Sequence, residues 1–164
     1  MVNIMYYINY FFIFSILGHT VESILSKTND SGILLGFWTP IYGIGTIVIL
    51  LLNNYIRKTT FNKPLKIITL FICSSILLST IEMIGGYLIK FIFNKELWNY
   101  TNQIFNIGKY TSLEMALVWG ISSIILIYII KPIIDKLVVK IPKFISYIFV
   151  AMFCIDLLLS LALK

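Results

Sequence analysis

The sequence predicts an all-α membrane protein, a polytopic helix bundle with about five transmembrane helices. Of its 164 residues, 59% are hydrophobic and only 12% are charged, and the mean hydropathy is +0.95. About a quarter of a typical soluble domain is charged. The few charges lie between apolar runs long enough to span a bilayer, which takes about 20 residues. A soluble domain is therefore excluded, and we expect one integral membrane domain over residues 1–164.

Five apolar runs define the predicted spans. They cover approximately residues 4–25, 32–56, 65–92, 110–130 and 144–163. The first run lacks a basic n-region and a small-residue cleavage site, which favours a retained span over a signal peptide. The second is broken, because Thr39 followed by Pro40 predicts a helix that begins inside the span. The free N–H groups of such a helix start favour an anion.

The basic residues predict the topology. The chain has 13 Lys plus Arg against 7 Asp plus Glu, but the excess lies in loops, which indicates membrane orientation and no nucleic-acid partner. Eight cations flank two alternate loops: Arg57, Lys58, Lys63, Lys66, Lys131, Lys136, Lys140 and Lys143. The positive-inside bias makes those loops cytoplasmic. We therefore expect a multi-pass cell-membrane protein with the N-terminus cytoplasmic, the C-terminus extracytoplasmic, and connections 26–31 and 93–109 outside.

A short amphipathic stretch is predicted in the last cytoplasmic loop. Between Pro132 and Pro142, apolar residues recur at helical spacing with most charges opposite them. It is either an interfacial helix anchored by lysines or a coupling helix for a cytoplasmic partner.

Two parts of the chain resemble each other. Residues 15–24 and 75–84 share six of ten positions, among them Glu22 and Glu82. A weaker match follows between residues 42–49 and 119–126. The pattern predicts a parallel repeat of two hairpins, unless the match is a coincidence in a chain rich in Ile, Leu and Ser.

Three glutamates are predicted to meet in the outer leaflet. Glu22, Glu82 and Glu114 lie in or at the edge of spans, where a charge costs about 2.5–3.5 kcal/mol and so faces protein or a water-filled cavity. His19 precedes Glu22 by three residues, on the same helical face. Residues 97–106 form either a lid over this cavity or an interfacial aromatic belt.

His19 and the carboxylates have the ligand types of a zinc or manganese site. One histidine and irregular spacing instead favour a hydrogen-bonded packing cluster, so we expect no metal and no cofactor. A proton relay through His19 is a further alternative. The chain has no G-x-x-x-x-G-K-[ST] motif, and neither ATP binding nor a nucleophile elbow is predicted.

Several motifs, in order, resemble those of one family. They are Gly18 with Glu22, Gly36-Phe37, Pro40 to Gly43, Glu82, Trp98 to Tyr100, Phe105-Asn106 and Trp119-Gly120. The sequence resembles small prokaryotic membrane proteins labelled putative ABC-transporter permeases, type IV, CmpB-like. That resemblance implies a bacterial or archaeal permease architecture with an ATPase partner. His19 and Glu114 depart from the pattern, which has Trp and an apolar residue at these positions.

These observations together predict a transport or solute-binding subunit with a polar pocket near the extracytoplasmic leaflet. The expected pocket residues are Glu22, Glu82, His19, Tyr42, Pro40, Trp98, Asn106 and Glu114. The expected partners are the lipid bilayer, a cytoplasmic ATPase or other membrane subunit, and a second copy in a homo-oligomer. The alternatives are an intramembrane enzyme using Glu22 and Glu82 as acid and base, and a structural membrane protein without a ligand.

Overall fold

The computed structural model describes residues 4–26 and 32–163, and it is 76% helical. The helices are α1 (Ile4–Ser26), α2 (Pro40–Arg57), α3 (Lys63–Phe93), α4 (Leu113–Ile125), α5 (Lys131–Val138) and α6 (Lys143–Ala162). A π-helical turn, Leu126–Ile130, makes α4 and α5 continuous. Among the described residues, four helical stretches are long and apolar enough to cross a membrane: Ile4–Ile24, Lys63–Phe93, Leu113–Val138 and Lys143–Ala162. The predicted all-α membrane bundle is confirmed, although the 18-residue α2 is not among those four.

Two predicted spans differ from the helices in their extent. Residues 32–39 are not helical, so the second span is a helix only from Pro40 onward, as its Thr-Pro pair predicts. The fourth helix begins at Leu113 and continues to Val138, past the predicted end at residue 130. The π turn explains this continuity. Pro132 has no N–H and would clash with a carbonyl one turn earlier, and a wider turn just before it avoids the clash.

The described residues form two compact units. Unit one contains residues up to Ile47 and from Asp135 onward, and unit two contains Val48–Ile134. Unit one therefore combines the two ends of the chain, whereas unit two is a continuous segment. The single domain expected from the sequence stays a prediction. The predicted outer connection 26–31 lies, from residue 27 onward, outside the described residues.

In unit one, α1 packs against α6 through aromatic rings, and it is hydrogen-bonded to Asp135 of α5. The rings of Phe12 and Phe153 lie 5.9 Å apart, in an edge-to-face arrangement. The hydroxyls of Tyr6 and Tyr10 donate to the Asp135 carboxylate at 2.7 and 2.8 Å. Asp135 thus fastens the second half of α5, which belongs to unit one, to α1. Ile134 and Val138 of the predicted amphipathic stretch are buried, whereas Leu137 is half exposed.

In unit two, α3 packs along α4, and a short hairpin connects them. The buried Ser74 and Ser123 hydroxyls are hydrogen-bonded to each other across the two helices. The hairpin consists of β1 (Asn106–Ile107) and β2 (Thr111–Ser112), paired antiparallel. The Ser112 side chain then caps α4 by accepting from the Met115 N–H at 3.2 Å. The hairpin is therefore continuous with the start of the helix.

The same close helix crossing occurs in both units. A Cβ atom added to Gly43 would lie within 3.0 Å of Phe11 and Ser15, and one added to Gly120 within 3.0 Å of Phe71 and Ser75. The sequence alignment pairs Gly43 with Gly120 and Ser15 with Ser75. The two hairpins are thus built on the same contacts, which supports the predicted repeat.

Candidate functional site

Glu22 lies at the junction of α1 with the start of α2. The Thr39 hydroxyl donates to its carboxylate at 3.2 Å, and the Tyr42 hydroxyl forms a second hydrogen bond. Thr39 directly precedes Pro40, the first residue of α2. The half-buried carboxylate is therefore held at a helix N-terminus, where the helix dipole favours negative charge. This agrees with the anion expected at the broken span.

Gly18 is what allows Tyr42 to reach Glu22. A Cβ atom at Gly18 would lie within 3.0 Å of the Tyr42 ring, so the ring rests on the bare backbone of α1. Gly18 is one helical turn before Glu22, on the same face. The Thr39 N–H also donates to the Ser15 carbonyl at 2.9 Å. Together these contacts fix the start of α2 against α1.

Glu82, on α3, has a donor for each carboxylate oxygen. The Tyr100 hydroxyl donates to Oε1 and the Trp119 indole N–H donates to Oε2, both at 3.0 Å. The Glu82 residue is only 4% exposed. Because an unpartnered carboxylate would be very costly at that burial, the two donors account for its presence in the core of unit two.

The two glutamates are matched sites. Tyr42 and Trp119 each immediately precede the glycine at the helix crossing, Gly43 or Gly120, and each donates to the aligned glutamate. The crossing therefore positions the donor in both units. The second donor differs, because Thr39 comes from the α2 start whereas Tyr100 comes from the connection between α3 and β1.

The remaining residues predicted for the pocket have varied surroundings. His19 is half-buried, with its ring 5.7 Å from that of Phe37. Trp98 donates from its indole to the Tyr110 carbonyl at 3.3 Å. Asn106 is exposed and bonds within the hairpin to the Gly108 carbonyl at 2.9 Å. Glu114 is exposed in the first turn of α4. The proposed grouping of these residues in one pocket stays a prediction.

No group of three or more His, Cys, Asp or Glu side chains in the described part of the chain is arranged to hold a metal ion. Glu22 and Glu82 are each supplied with hydroxyl or indole donors. Ionised carboxylates have about four acceptor positions, so a carboxylate with two donors retains unused acceptor positions. The chemistry available to both carboxylates is hydrogen bonding to further donors and attraction of positive charge.

Asp156 is an anchor that the predicted site did not include. Its carboxylate accepts from the N–H groups of Leu35 and Gly36 at 2.9 Å and from the Trp38 indole at 2.5 Å. Asp156 thus satisfies the backbone of the non-helical residues that lead into α2. The signal was present, because a lone Asp in the last span needs donors and a broken span offers free N–H groups.

Tyr100, Trp119 and Thr39 were not predicted as glutamate partners. The role of Trp119 could have been predicted from the sequence, because the alignment pairs Trp119 with Tyr42. Thr39 was assigned only as a helix cap, and it also donates to Glu22. Tyr100 lies in the Trp98 to Tyr100 motif, but that motif did not indicate its contact with Glu82, because the position of Tyr100 depends on the fold of the loop between α3 and β1.

The long apolar helices, with buried carboxylates held between them, define a polytopic helical membrane protein. The chain belongs to the family described as putative ABC-transporter type IV, whose model matches residues 9–162. No curated protein and no solved structure matches the chain.

Proposed function

We propose that this protein is the membrane-embedded subunit of an ABC-type transport system and binds solute at its glutamates. The family description supports a role beside other membrane or ATPase subunits. ATP is bound by the partner, because this chain has no P-loop motif. The chain is therefore the part that faces the solute.

The observation that carries the proposal is the matched pair of glutamates. Each repeat holds one carboxylate beside its glycine crossing and supplies an aromatic donor from the same position, Tyr42 or Trp119. A packing role alone does not require the same acid in both repeats. A charged group kept in a membrane helix is, by default, a functional site. The solute that fits is a cation or a molecule rich in hydrogen-bond donors.

The proposal includes the predicted orientation and site residues. With the N-terminus cytoplasmic, Glu22 and Glu82 face the extracytoplasmic half of the membrane, each with site residues of its own unit: His19, Pro40 and Tyr42 in unit one, and Trp98, Asn106 and Glu114 in unit two. Solute then reaches each glutamate from outside, and the ATPase acts from the cytoplasmic side.

The first test is whether ATP hydrolysis accompanies the protein. The tagged chain is isolated from its native membranes in a mild detergent, and hydrolysis of Mg-ATP by the isolate is measured. We expect hydrolysis with the wild type. We expect it to be lost with Leu137→Glu, because Leu137 is 51% exposed on the predicted cytoplasmic helix α5.

The matched control is Ile104→Glu. Ile104 is 68% exposed, but it lies in the connection predicted to be outside, so hydrolysis should remain. If the wild-type isolate does not hydrolyse Mg-ATP, the ABC-subunit proposal is wrong, and a structural membrane protein is favoured instead.

A further inference from the structure

Four buried hydroxyls have no hydrogen-bond partner among the described residues. They are those of Ser15, Ser75, Ser79 and Thr111. An unpartnered hydroxyl in an apolar setting is unfavourable. Ser15 and Ser75 have an explanation in the fold, because each faces the glycine at its helix crossing, Gly43 or Gly120. A glycine Cα–H is a weak donor at helix crossings.

Ser79 and Thr111 have no such explanation. Both line two adjoining cavities, of about 400 and 390 Å³, between α3, α4 and the hairpin. Thr111 is only 4% exposed, so its unpartnered hydroxyl is almost completely withdrawn from the surroundings. The shared walls also include Ala116, whose small side chain leaves room between the helices. The cavities therefore form one groove with two donors at the hairpin end.

The walls of the groove are mostly apolar and contain no charged residue. From Phe71 to Met83 the groove follows α3 over about 18 Å, at about 1.5 Å per residue. The flanking side chains of Ile76 and Leu117 are 63% and 46% exposed. Because α3 and the continuous helical stretch Leu113–Val138 have membrane-spanning length and composition, these exposed side chains face lipid hydrocarbon. The groove therefore opens onto the lipid of the bilayer.

We propose that this groove binds one acyl chain of an ester-linked membrane glycerolipid, with its ester carbonyls accepting hydrogen bonds from Ser79 and Thr111. Hydroxyls are donors and ester carbonyls are acceptors, whereas a charged head group would find no countercharge in the lining. The acyl chain of the lipid lies toward Phe71, and its glycerol region lies at the hairpin. This site is separate from the glutamates and does not depend on the proposed transport function.

The test compares ester with ether lipids. The protein is placed in nanodiscs that contain equal amounts of a diester and a diether phosphatidylcholine of the same chain length, and retained lipid is identified by native mass spectrometry. The ether lipid lacks the carbonyl acceptors. We expect the wild type to retain the ester form about threefold to tenfold more, as one or two hydrogen bonds would give.

Two variants assign the preference to the hydroxyls. Ser79→Ala and Thr111→Val should each bring the ester-to-ether ratio toward one. Thr80→Val is the matched control, because Thr80 lines the same groove but its hydroxyl already donates to the Ile76 carbonyl at 2.8 Å. Its ratio should equal that of the wild type. A wild-type ratio near one, or an equal loss in Thr80→Val, overturns the proposal.

Ala116→Phe provides a second route if the hydroxyl variants do not fold. It should fill the groove and remove retention of both lipids, with an unchanged elution profile as the check on folding. If a well-folded Ala116→Phe protein retains the ester lipid as before, the lipid binds elsewhere and the proposal fails.

Discussion

The donors to the two glutamates differ in a way that decides which substitutions they tolerate. A hydroxyl can either donate or accept, whereas an indole N–H only donates. Glu22 is bonded by the hydroxyls of Thr39 and Tyr42, and Glu82 by one hydroxyl, on Tyr100, and one indole, on Trp119. Each site therefore has at least one partner that can reverse its hydrogen bond.

That reversibility predicts the outcome of replacing each glutamate by glutamine. In Glu22→Gln and Glu82→Gln the amide oxygen can accept from one partner while the NH₂ donates to a hydroxyl. We expect stability in detergent to change by less than about 1 kcal/mol, measured by thermal unfolding. We also expect the isolated complex to lose its Mg-ATP hydrolysis, because the variant lacks the negative charge of the glutamate.

Glu96→Gln is the control for the lost charge. Glu96 is an exposed carboxylate 3.7 Å from Lys90 and 3.6 Å from Lys109, and a surface ion pair of this kind contributes about 0–1 kcal/mol. The Glu96→Gln isolate should hydrolyse Mg-ATP at the wild-type rate. If the Glu22 and Glu82 variants melt far below wild type, the glutamates are packing groups and the solute site should be abandoned.

Trp119→Phe isolates the indole donor. The ring stays aromatic and apolar, but the Glu82 Oε2 atom loses its donor at 3.0 Å. Because Glu82 is buried, we expect a loss of about 1–3 kcal/mol, measured by thermal unfolding in detergent. Trp98→Phe removes a longer indole bond, 3.3 Å to a carbonyl, and should lose less. The reverse order of stabilities would contradict the role given to Trp119.

At the scale of the helices, the crossings at Gly43 and Gly120 are the repeated element. An alanine in either position brings a Cβ atom within 3.0 Å of a phenylalanine and a serine on the facing helix. Helix propensity alone would make Gly→Ala stabilising by about 1 kcal/mol. The crossing reverses that sign, because overpacking typically costs about 1–3 kcal/mol.

We therefore expect Gly43→Ala and Gly120→Ala each to lower the unfolding temperature in detergent. Gly32→Ala is the steric control, because Gly32 lies outside the helices and a Cβ atom there comes no closer than 3.9 Å to another atom. If either crossing variant is more stable than wild type, the two helices are not in close contact at that glycine.

The sequence predicted the helices well and their ends less well. Thr39-Pro40 correctly placed the start of α2, because a proline at the first helical position needs no N–H partner. The sequence did not predict that the fourth span would continue through Pro132. The helix continues there because a π turn just before the proline accommodates it. Glu22 and Glu82 were selected by the repeat. Asp156 lies in the last predicted span, where an acid needs donors, but its partners lie about 120 residues away in the sequence, and no local pattern reports such a contact.

At the scale of the whole molecule, the predicted topology is directly testable. In a cysteine-free background, a membrane-impermeant thiol reagent added from outside should label Asn102→Cys and not Lys63→Cys. The reason is that loop cations are retained on the cytoplasmic side, and Lys63 begins α3 beside that cluster. The opposite labelling pattern would reverse the assigned orientation.

The division of the chain between the two units has a consequence for biogenesis. Unit two is a continuous segment, Val48–Ile134, and it is complete while α6 is still being synthesised. Unit one waits for α6, because Asp156 supplies the acceptors for Leu35, Gly36 and Trp38. Until α6 enters the bilayer, those N–H groups need water, the translocon or a chaperone. Insertion of α6, and not insertion of the second span, then sets the moment at which the start of α2 becomes fixed.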